Sequence, residues 1–346
     1  MLSKLPLMSQ PILQVEDLSI GFDGEEGTVE ITDKVGFHIH PGEAYGLVGE
    51  SGCGKSVTCL ALLKLLPVPG GRVLSGRVLF DGKDILALSP EELRRFRGKE
   101  IGMIFQEPGA ALNPLWPIQR QLLEPFQYHP YQGKPLERIT YLLERVGIAD
   151  PARILAAYPH QLSGGMLQRV MIAMALSLNP RLLIADEPTT ALDVTVQAQI
   201  MELLEDLRRE FRTAILMVTH NLNLIAQYAD RVGVMYAGRI VEEGPVASFL
   251  DSPRHPYSSG LLKALPRLDV DAPPHPIPGH VPRPGDYLSG CRFRDRCPHA
   301  FEPCPSKPDL FPVGEKHGVA CWLYGPGGPR ATPAAQSSTF GKGASS

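Results

Sequence analysis

The sequence predicts an α/β fold built on a largely parallel sheet, and three observations carry that prediction. Short unbroken apolar runs recur at Ala44-Tyr45-Gly46-Leu47-Val48, Ile101-Gly102-Met103-Ile104-Phe105, Leu182 to Ala185 and Ala214 to Thr219, as strands buried on both faces read. Segments of helical periodicity alternate with these runs over residues 12–250, as parallel crossovers require. A glycine-rich loop follows the first run at Gly49–Ser56, the strand end at which open α/β sheets take their ligands.

Composition narrows the classes. A chain of 346 residues with 43% hydrophobic content supports a real core in one large domain or two modest ones. A net charge of -3 gives no electrostatic footprint for nucleic acid. No apolar run approaches the roughly 18 residues that span a bilayer. Lys4 and its short apolar patch lack the long apolar region and cleavage site of a signal peptide. The expectation is a soluble cytoplasmic protein whose membrane contact comes through a partner.

The elements follow in order. Gly49-Glu50-Ser51-Gly52-Cys53-Gly54-Lys55-Ser56 fits GxxxxGK(S/T) between a strand and a helix that continues at Val57. Glycines there let backbone N–H groups wrap phosphates, Lys55 places a charge at the β- and γ-phosphates, and Ser56 can ligate Mg²⁺. Ser89-Pro90-Glu91-Glu92 predicts a helix start with a capping box. Gln106 ends the second apolar run. Leu136, Ile139, Leu143 and Val146 form one helical face, which Gly147 is placed to end. Ser163-Gly164-Gly165 precedes a helical run from Met166 to Leu178, a second anion-facing helix start. Asp186 ends the third run, where a carboxylate facing the crevice can hold Mg²⁺, through water. Glu187 is next to it, and Val196, Ile200, Leu203, Leu207 and Phe211 give another helical face. His220 follows the fourth run.

Taken together, Gly49–Ser56, Leu162-Ser163-Gly164-Gly165-Met166 and Leu182–Pro188 resemble the ATP-binding subunit of an ATP-binding-cassette (ABC) transporter. The resemblance implies a P-loop NTPase cassette with a RecA-like core, an antiparallel β subdomain and a helical signature subdomain at about 89–165. It implies that Glu187 polarises the attacking water, that Gln106 senses Mg²⁺ and water, and that His220 contacts the γ-phosphate. Pro188 to Asp193 resembles the family's D-loop. Phe22 lies where the family stacks an aromatic on adenine, although a strand-core phenylalanine reads the same way. Each signature, Ser163 to Met166, would close on ATP held by a second subunit's loop. The family has Asp after the histidine; this chain has Asn221, which leaves the local hydrogen bonding open.

Further segments narrow the resemblance to ATPase subunits of dipeptide, oligopeptide and nickel importers, nearest the D-type subunits of dipeptide permeases, over roughly residues 12–322. They are Phe105-Gln106-Glu107-Pro108, Leu112-Asn113-Pro114, Pro159-His160-Gln161 and Arg254-His255-Pro256-Tyr257. The implied activity is ATP hydrolysis that energises peptide import at the cytoplasmic face of the membrane. The implied partners are two membrane permease subunits docking near 89–165, an external binding protein, and a second ATPase subunit, the same or a homologue. Nickel or another small solute is the alternative cargo. A soluble ABC ATPase on ribosomes or DNA is the alternative class, against which stand the absent tandem cassette and the lack of basic patches.

Composition changes after Leu250. Half of the 34 prolines lie beyond it, Pro273-Pro274 through Pro284 reads as a linker, and 326–346 reads as a disordered tail. The organisation expected is a nucleotide-binding domain over 12–250 and an extension over 251–325. Cys291, Cys297, Cys304 and Cys321 fall in that extension without a CxxC pair, against a standard zinc ribbon. Four thiolates can hold a 4Fe–4S cluster, which some D-type subunits carry; Zn²⁺ and free thiols remain alternatives.

Overall fold

The computed structural model describes residues 10–25, 27–190, 192–265 and 275–330. Its first two strands, β1 (Leu13–Gly24) and β2 (Gly27–Ile39), pair antiparallel from Leu13↔Ile39 to Gly24↔Gly27. The chain then enters a second sheet as β3 (Ala44–Val48) and turns through the glycine loop into the helix Lys55–Leu62. It returns to the first sheet as β4 (Gly71–Phe80) and β5 (Lys83–Asp84), completing the antiparallel order β2-β1-β4-β5.

The large sheet is assembled from β6 (Ile101–Ile104), β7 (Leu182–Asp186), β8 (Ala214–Thr219), β9 (Arg231–Tyr236), β10 (Arg239–Pro245), β11 (Phe311–Gly314) and β12 (His317–Val319), together with β3. Its order is β11-β12-β10-β9-β3-β8-β7-β6. The pairs β9–β3, β3–β8, β8–β7 and β7–β6 are parallel; those involving β10, β11 and β12 are antiparallel.

The unbroken apolar runs have a direct cause. Leu182, Ile184, Leu216 and Val218 pack into one core shared with β1, β2 and the helix Lys55–Leu62. Leu183, Ala185, Ile215 and Met217 face the opposite core, shared with the helices that follow β6 and β7. A strand covered on both faces has no polar side to display.

Helix boundaries follow local chemistry. Ser89 and Glu92 form the reciprocal capping box at the helix Pro90–Phe96. The helix Gly164–Ala175 stops short of Leu178 and is followed by a turn in which Asn179, before Pro180, takes φ +54°. Two helical faces sit differently from expectation. In Pro135–Arg145, Leu136 lies exposed in the first turn and Leu142 joins Ile139, Leu143 and Val146 in the core. In Val194–Phe211 the buried stripe is Ile200, Met201, Leu204 and Leu207, with Val196, Leu203 and Phe211 at its margins. The segment 89–165 is mostly short helices, yet it contributes β6 to the large sheet.

The composition change after Leu250 is not matched by a break in the sheet. Strand β12 pairs with β10 through Glu242↔Val319 and Glu243↔Gly318, so residues 311–319 extend the sheet that carries the glycine loop. Of the proline-rich segment, Pro273 and Pro274 lie outside the described residues, as does 331–346 of the expected tail.

Candidate active site

The glycine loop leaves β3 at Val48, and its backbone is set by close approach. A side chain at Gly49 would put Cβ 2.1 Å from the Met235 carbonyl oxygen, so no larger residue fits. Gly54 takes φ +107° at the helix start, a region costly for other residues. Lys55 is buried, with Nζ donating to the carbonyls of Gly49 at 2.8 Å and Glu50 at 3.1 Å. Ser56 Oγ donates to Asp186 Oδ1 at 3.0 Å, which joins the loop to the end of β7.

Above the loop lies a cavity of about 710 Å³. Gly49, Glu50, Ser51, Gly52, Gly54, Lys55, Ser56 and Val57 line it; Cys53 turns away into the core, where burial pushes its thiol up. Phe22, Gln106, Glu187 and His220 line the same cavity. Asp186 lies beneath the rim, buried, with its carboxyl raised above the ordinary range. Burial is the first cause; the Ser56 hydrogen bond opposes it and the Glu187 charge adds to it.

Glu187 is positioned from three sides. Its backbone takes φ +46°, sparsely populated for a residue with a side chain, and its N–H donates to the Val218 carbonyl of β8 at 2.9 Å. Oε2 accepts from Gln106 Nε2 at 3.2 Å and from Thr190 Oγ1 at 2.8 Å. Oε1 lies 3.4 Å from His220 Nδ1. One carboxylate is thereby held at the cavity rim by groups from the ends of β6, β7 and β8. Asn221 caps the helix Leu222–Tyr228 by accepting from Asn223 N–H at 3.0 Å, and its own N–H donates to Thr219 Oγ1 at 3.0 Å. The amide thus performs the capping that an aspartate would perform there.

The signature lies apart from this cavity. Ser163 caps Gly164–Ala175 by accepting from Met166 N–H at 3.4 Å, with Gly164 exposed and Gly165 half-buried beside it. A Cβ on Gly165 would meet Val196 Cγ1 at 3.3 Å, against the helix that Asp193 caps through Val196 N–H at 2.9 Å. Within this chain the signature therefore faces the D-loop side, where Ala191 lies outside the described residues. An exposed helix start with free N–H groups suits an anion presented from outside.

Sequence reasoning missed the residues beyond Leu250 that reach the glycine loop. Leu261 and Pro284 line the cavity, Glu50 N–H donates to Tyr257 Oη at 2.9 Å, and Arg296 pairs with the Glu50 carboxylate at 2.9 Å. No periodicity or spacing marks them, because the contacts exist only once the chain has folded back.

The four cysteines of the extension are free thiols gathered in one region. Cys291 N–H donates to the Cys304 carbonyl at 2.9 Å. Burial first, then the other three cysteines, push the Cys321 thiol up to about 12, and burial pushes Cys291 to about 11. Among the described residues, no three His, Cys, Asp or Glu side chains are arranged to hold one metal ion. A tetrahedral zinc site needs four sulfurs at about 2.3 Å from one point. Cys304 and Cys321 are buried and Cys291 and Cys297 half-buried, and four thiols of this kind are soft donors of the type an iron–sulfur group takes.

Comparison with known proteins agrees with this arrangement. Residues 32–190 match the family model described as ABC transporter, and residues 241–304 match that of the oligopeptide/dipeptide transporter C-terminal region. The chain is 46% identical over 327 residues to the oligopeptide transport ATP-binding protein OppD of Bacillus subtilis, covering 93% of this chain and 91% of that protein. It is 47% identical over 328 residues to a putative peptide import ATP-binding protein of Brucella ovis, covering 90% and 97% respectively. Among solved structures it is similar to the dimeric structure of MJ0796, a bacterial ABC transporter cassette, with TM-score 0.60 and 28% identity over 68% of this chain and 98% of that one. It is also similar to cbiO1 from Clostridium perfringens, part of the ABC transporter complex cbiONQ, with TM-score 0.58 and 29% identity over 70% and 92%. Among the described residues no helix is long and apolar enough to cross a membrane.

Proposed function

The chain belongs to the ABC transporter family of ATP-binding proteins, and from that membership we propose that it hydrolyses ATP to drive import of di- and oligopeptides through a membrane permease. The observation that carries the hydrolytic reading is the Glu187 carboxylate, held between Gln106, Thr190 and His220 at the mouth of the glycine-loop cavity. The peptide reading draws on the names of the relatives and on the match over residues 241–304.

The chemistry follows from these positions. N–H groups of Gly49–Ser56 and the Lys55 ammonium bind the phosphates of ATP. Phe22 lies on the cavity wall, where it offers a face for the adenine. Ser56 Oγ and the Asp186 carboxylate, 3.0 Å apart, are hard oxygen donors of the kind Mg²⁺ takes together with nucleotide phosphates. Bound there, Mg²⁺ would neutralise charge on the phosphates. Glu187 accepts a proton from the attacking water while Gln106 orients it. The water oxygen bonds to the γ-phosphorus, the bond to the β–γ bridging oxygen breaks, and ADP and phosphate leave. His220 donates to the γ-phosphate oxygens as charge develops.

In this reading Ser163, Gly164, Gly165 and Met166 meet the ATP of a second subunit, itself a copy or a homologue, and Asp193 fixes the helix beside them. The 12–250 segment is the nucleotide-binding domain, with 89–165 docking two permease subunits at the cytoplasmic face of the membrane. An external binding protein delivers the peptide. Cys291, Cys297, Cys304 and Cys321 would hold a 4Fe–4S cluster with a structural role. Anaerobic purification giving colourless, iron-free protein would remove that assignment.

The test of function is uptake in cells lacking the chain, using labelled di- and tripeptides and labelled nickel. Loss of peptide uptake alone, restored by the wild type and not by Glu187→Gln, supports the proposal. Loss of nickel uptake alone moves the cargo to a metal, and no change in either removes the transport reading.

A further inference from the structure

The glycine loop carries an acid where it handles a polyanion. Glu50 is the first residue after Gly49, at a position the GxxxxGK(S/T) pattern leaves free, and it lines the phosphate cavity. A lone carboxylate there opposes ATP by Coulomb repulsion at partly buried range. This chain answers that charge from the extension. Arg296 pairs with both oxygens of Glu50, Nη1 to Oε2 at 2.9 Å and Nη2 to Oε1 at 3.1 Å. The guanidinium is held in turn by the carbonyls of Pro278 and Gly279, at 2.7 and 3.3 Å, and its side chain is only 7% exposed. Glu50 is also gripped by its backbone, since its N–H donates to the buried Tyr257 hydroxyl.

A second strut leaves the same stretch of chain. Arg292 Nη1 donates to the Ala237 carbonyl at 2.5 Å, and the next residue, Gly238, donates its N–H to the Cys53 carbonyl of the loop at 2.9 Å. Arg292 and Arg296 both lie between Cys291 and Cys297. The segment between two of the cysteines thus holds the loop directly at Glu50 and, by way of Ala237 and Gly238, indirectly at Cys53.

We propose that the Cys291–Cys297 segment braces the glycine loop of its own chain and that Arg296 is a positioning residue for ATP binding, acting through Glu50. The proposal rests on the ATPase reading and adds a determinant of nucleotide affinity to it. Arg296 neutralises the loop carboxylate and fixes the loop so that its N–H groups are aimed before ATP arrives. A paired guanidinium fork does this with a geometry that a lysine ammonium does not reproduce.

The experiment measures binding of a fluorescent ATP analogue to the purified full chain, and KM and kcat for ATP, in wild type, Arg296→Met, Arg296→Lys and the double variant Arg296→Met with Glu50→Gln. For Arg296→Met the expected outcome is nucleotide affinity weaker by roughly tenfold, as one uncompensated nearby charge produces, with KM raised and kcat changed by less than about twofold. Arg296→Lys falls between. Removing the carboxylate as well restores affinity toward wild type, a rescue that a merely structural arginine would not give. Unchanged affinity in Arg296→Met, or a double variant no better than the single one, overturns the proposal. If Arg296→Met does not fold, the same comparison is made between Arg296→Lys with and without Glu50→Gln. A wild-type chain that binds no ATP overturns both this and the ATPase reading; wild-type binding with an indifferent Arg296 overturns this one alone.

Discussion

Glu187 shows how one atom can be isolated by substitution. Glutamine keeps its shape and can still meet Thr190 and Gln106, which hold the carboxylate at 2.8 and 3.2 Å, but it cannot take a proton from water. Glu187→Gln is therefore expected to lower ATP turnover by about 10²–10⁴-fold, the range of one general base, while leaving nucleotide binding intact. Size-exclusion chromatography with and without Mg-ATP should show the variant accumulating as an ATP-bound dimer; full activity in the variant would refute the role. Gln106, Asp186, Glu187 and His220 were legible because each is a polar residue closing an apolar strand, where the sheet aims side chains into one crevice. Tyr257 and Arg296 were not, since their partner Glu50 is more than 200 positions away in the chain and no local pattern encodes the pairing.

Secondary structure was legible to the extent that its causes are local. The Ser89–Glu92 capping box needs only four residues to form, and it is present as the sequence predicted. The face of Val194–Phe211 needed tertiary information: Ile200, Met201, Leu203, Leu204 and Leu207 offer two adjacent apolar stripes, and packing selects the one containing Met201 and Leu204. Asn221 gives an element-scale prediction. Its side chain satisfies the first turn of Leu222–Tyr228 directly after His220. Asn221→Ala should cost about 1 kcal/mol of stability in urea unfolding, and Asn221→Asp only a few tenths. If Ala and Asp variants were equally stable, the cap would carry no weight and the departure from the family's residue would have another cause. Ser163→Ala should likewise weaken the start of Gly164–Ala175 by about 1 kcal/mol, read as faster amide exchange confined to that first turn.

At the scale of the whole molecule, the extension and the cassette are joined at a buried carboxylate. Glu242 on β10 is fully buried and accepts from Arg254 N–H at 2.8 Å, from His255 N–H at 2.7 Å, and is bonded to His317 Nε2 of β12 at 2.8 Å. The proline-rich composition after Leu250 reads in the sequence as a linker within a C-terminal extension. The pairing of β12 with β10 ties that extension to the sheet: its strands are three and four residues long, too short to show periodicity, yet they cover the β10 edge. Burial alone would raise the Glu242 carboxyl, but the His317 bond and the two amides outweigh it and hold the value below the ordinary range. A carboxyl lowered on folding contributes stability that is present above its unfolded value, about 4.3, and lost as pH falls through its folded value. Wild-type protein should accordingly lose unfolding free energy on passing from pH 5 into the more acidic range, measured by urea titration at each pH. Glu242→Gln replaces a carboxylate that accepts two N–H bonds and is bonded to His317, so it should be destabilised by about 1–3 kcal/mol at pH 7 and should show a shallower acid loss. An identical acid slope in both proteins would mean that other carboxylates carry it. A chain ended at Leu250 removes His317, Arg254 and His255 together, stripping Glu242 of its partners and leaving the β10 edge bare. It should fail to accumulate as folded protein, whereas a true appendage could be cut away with the cassette left intact.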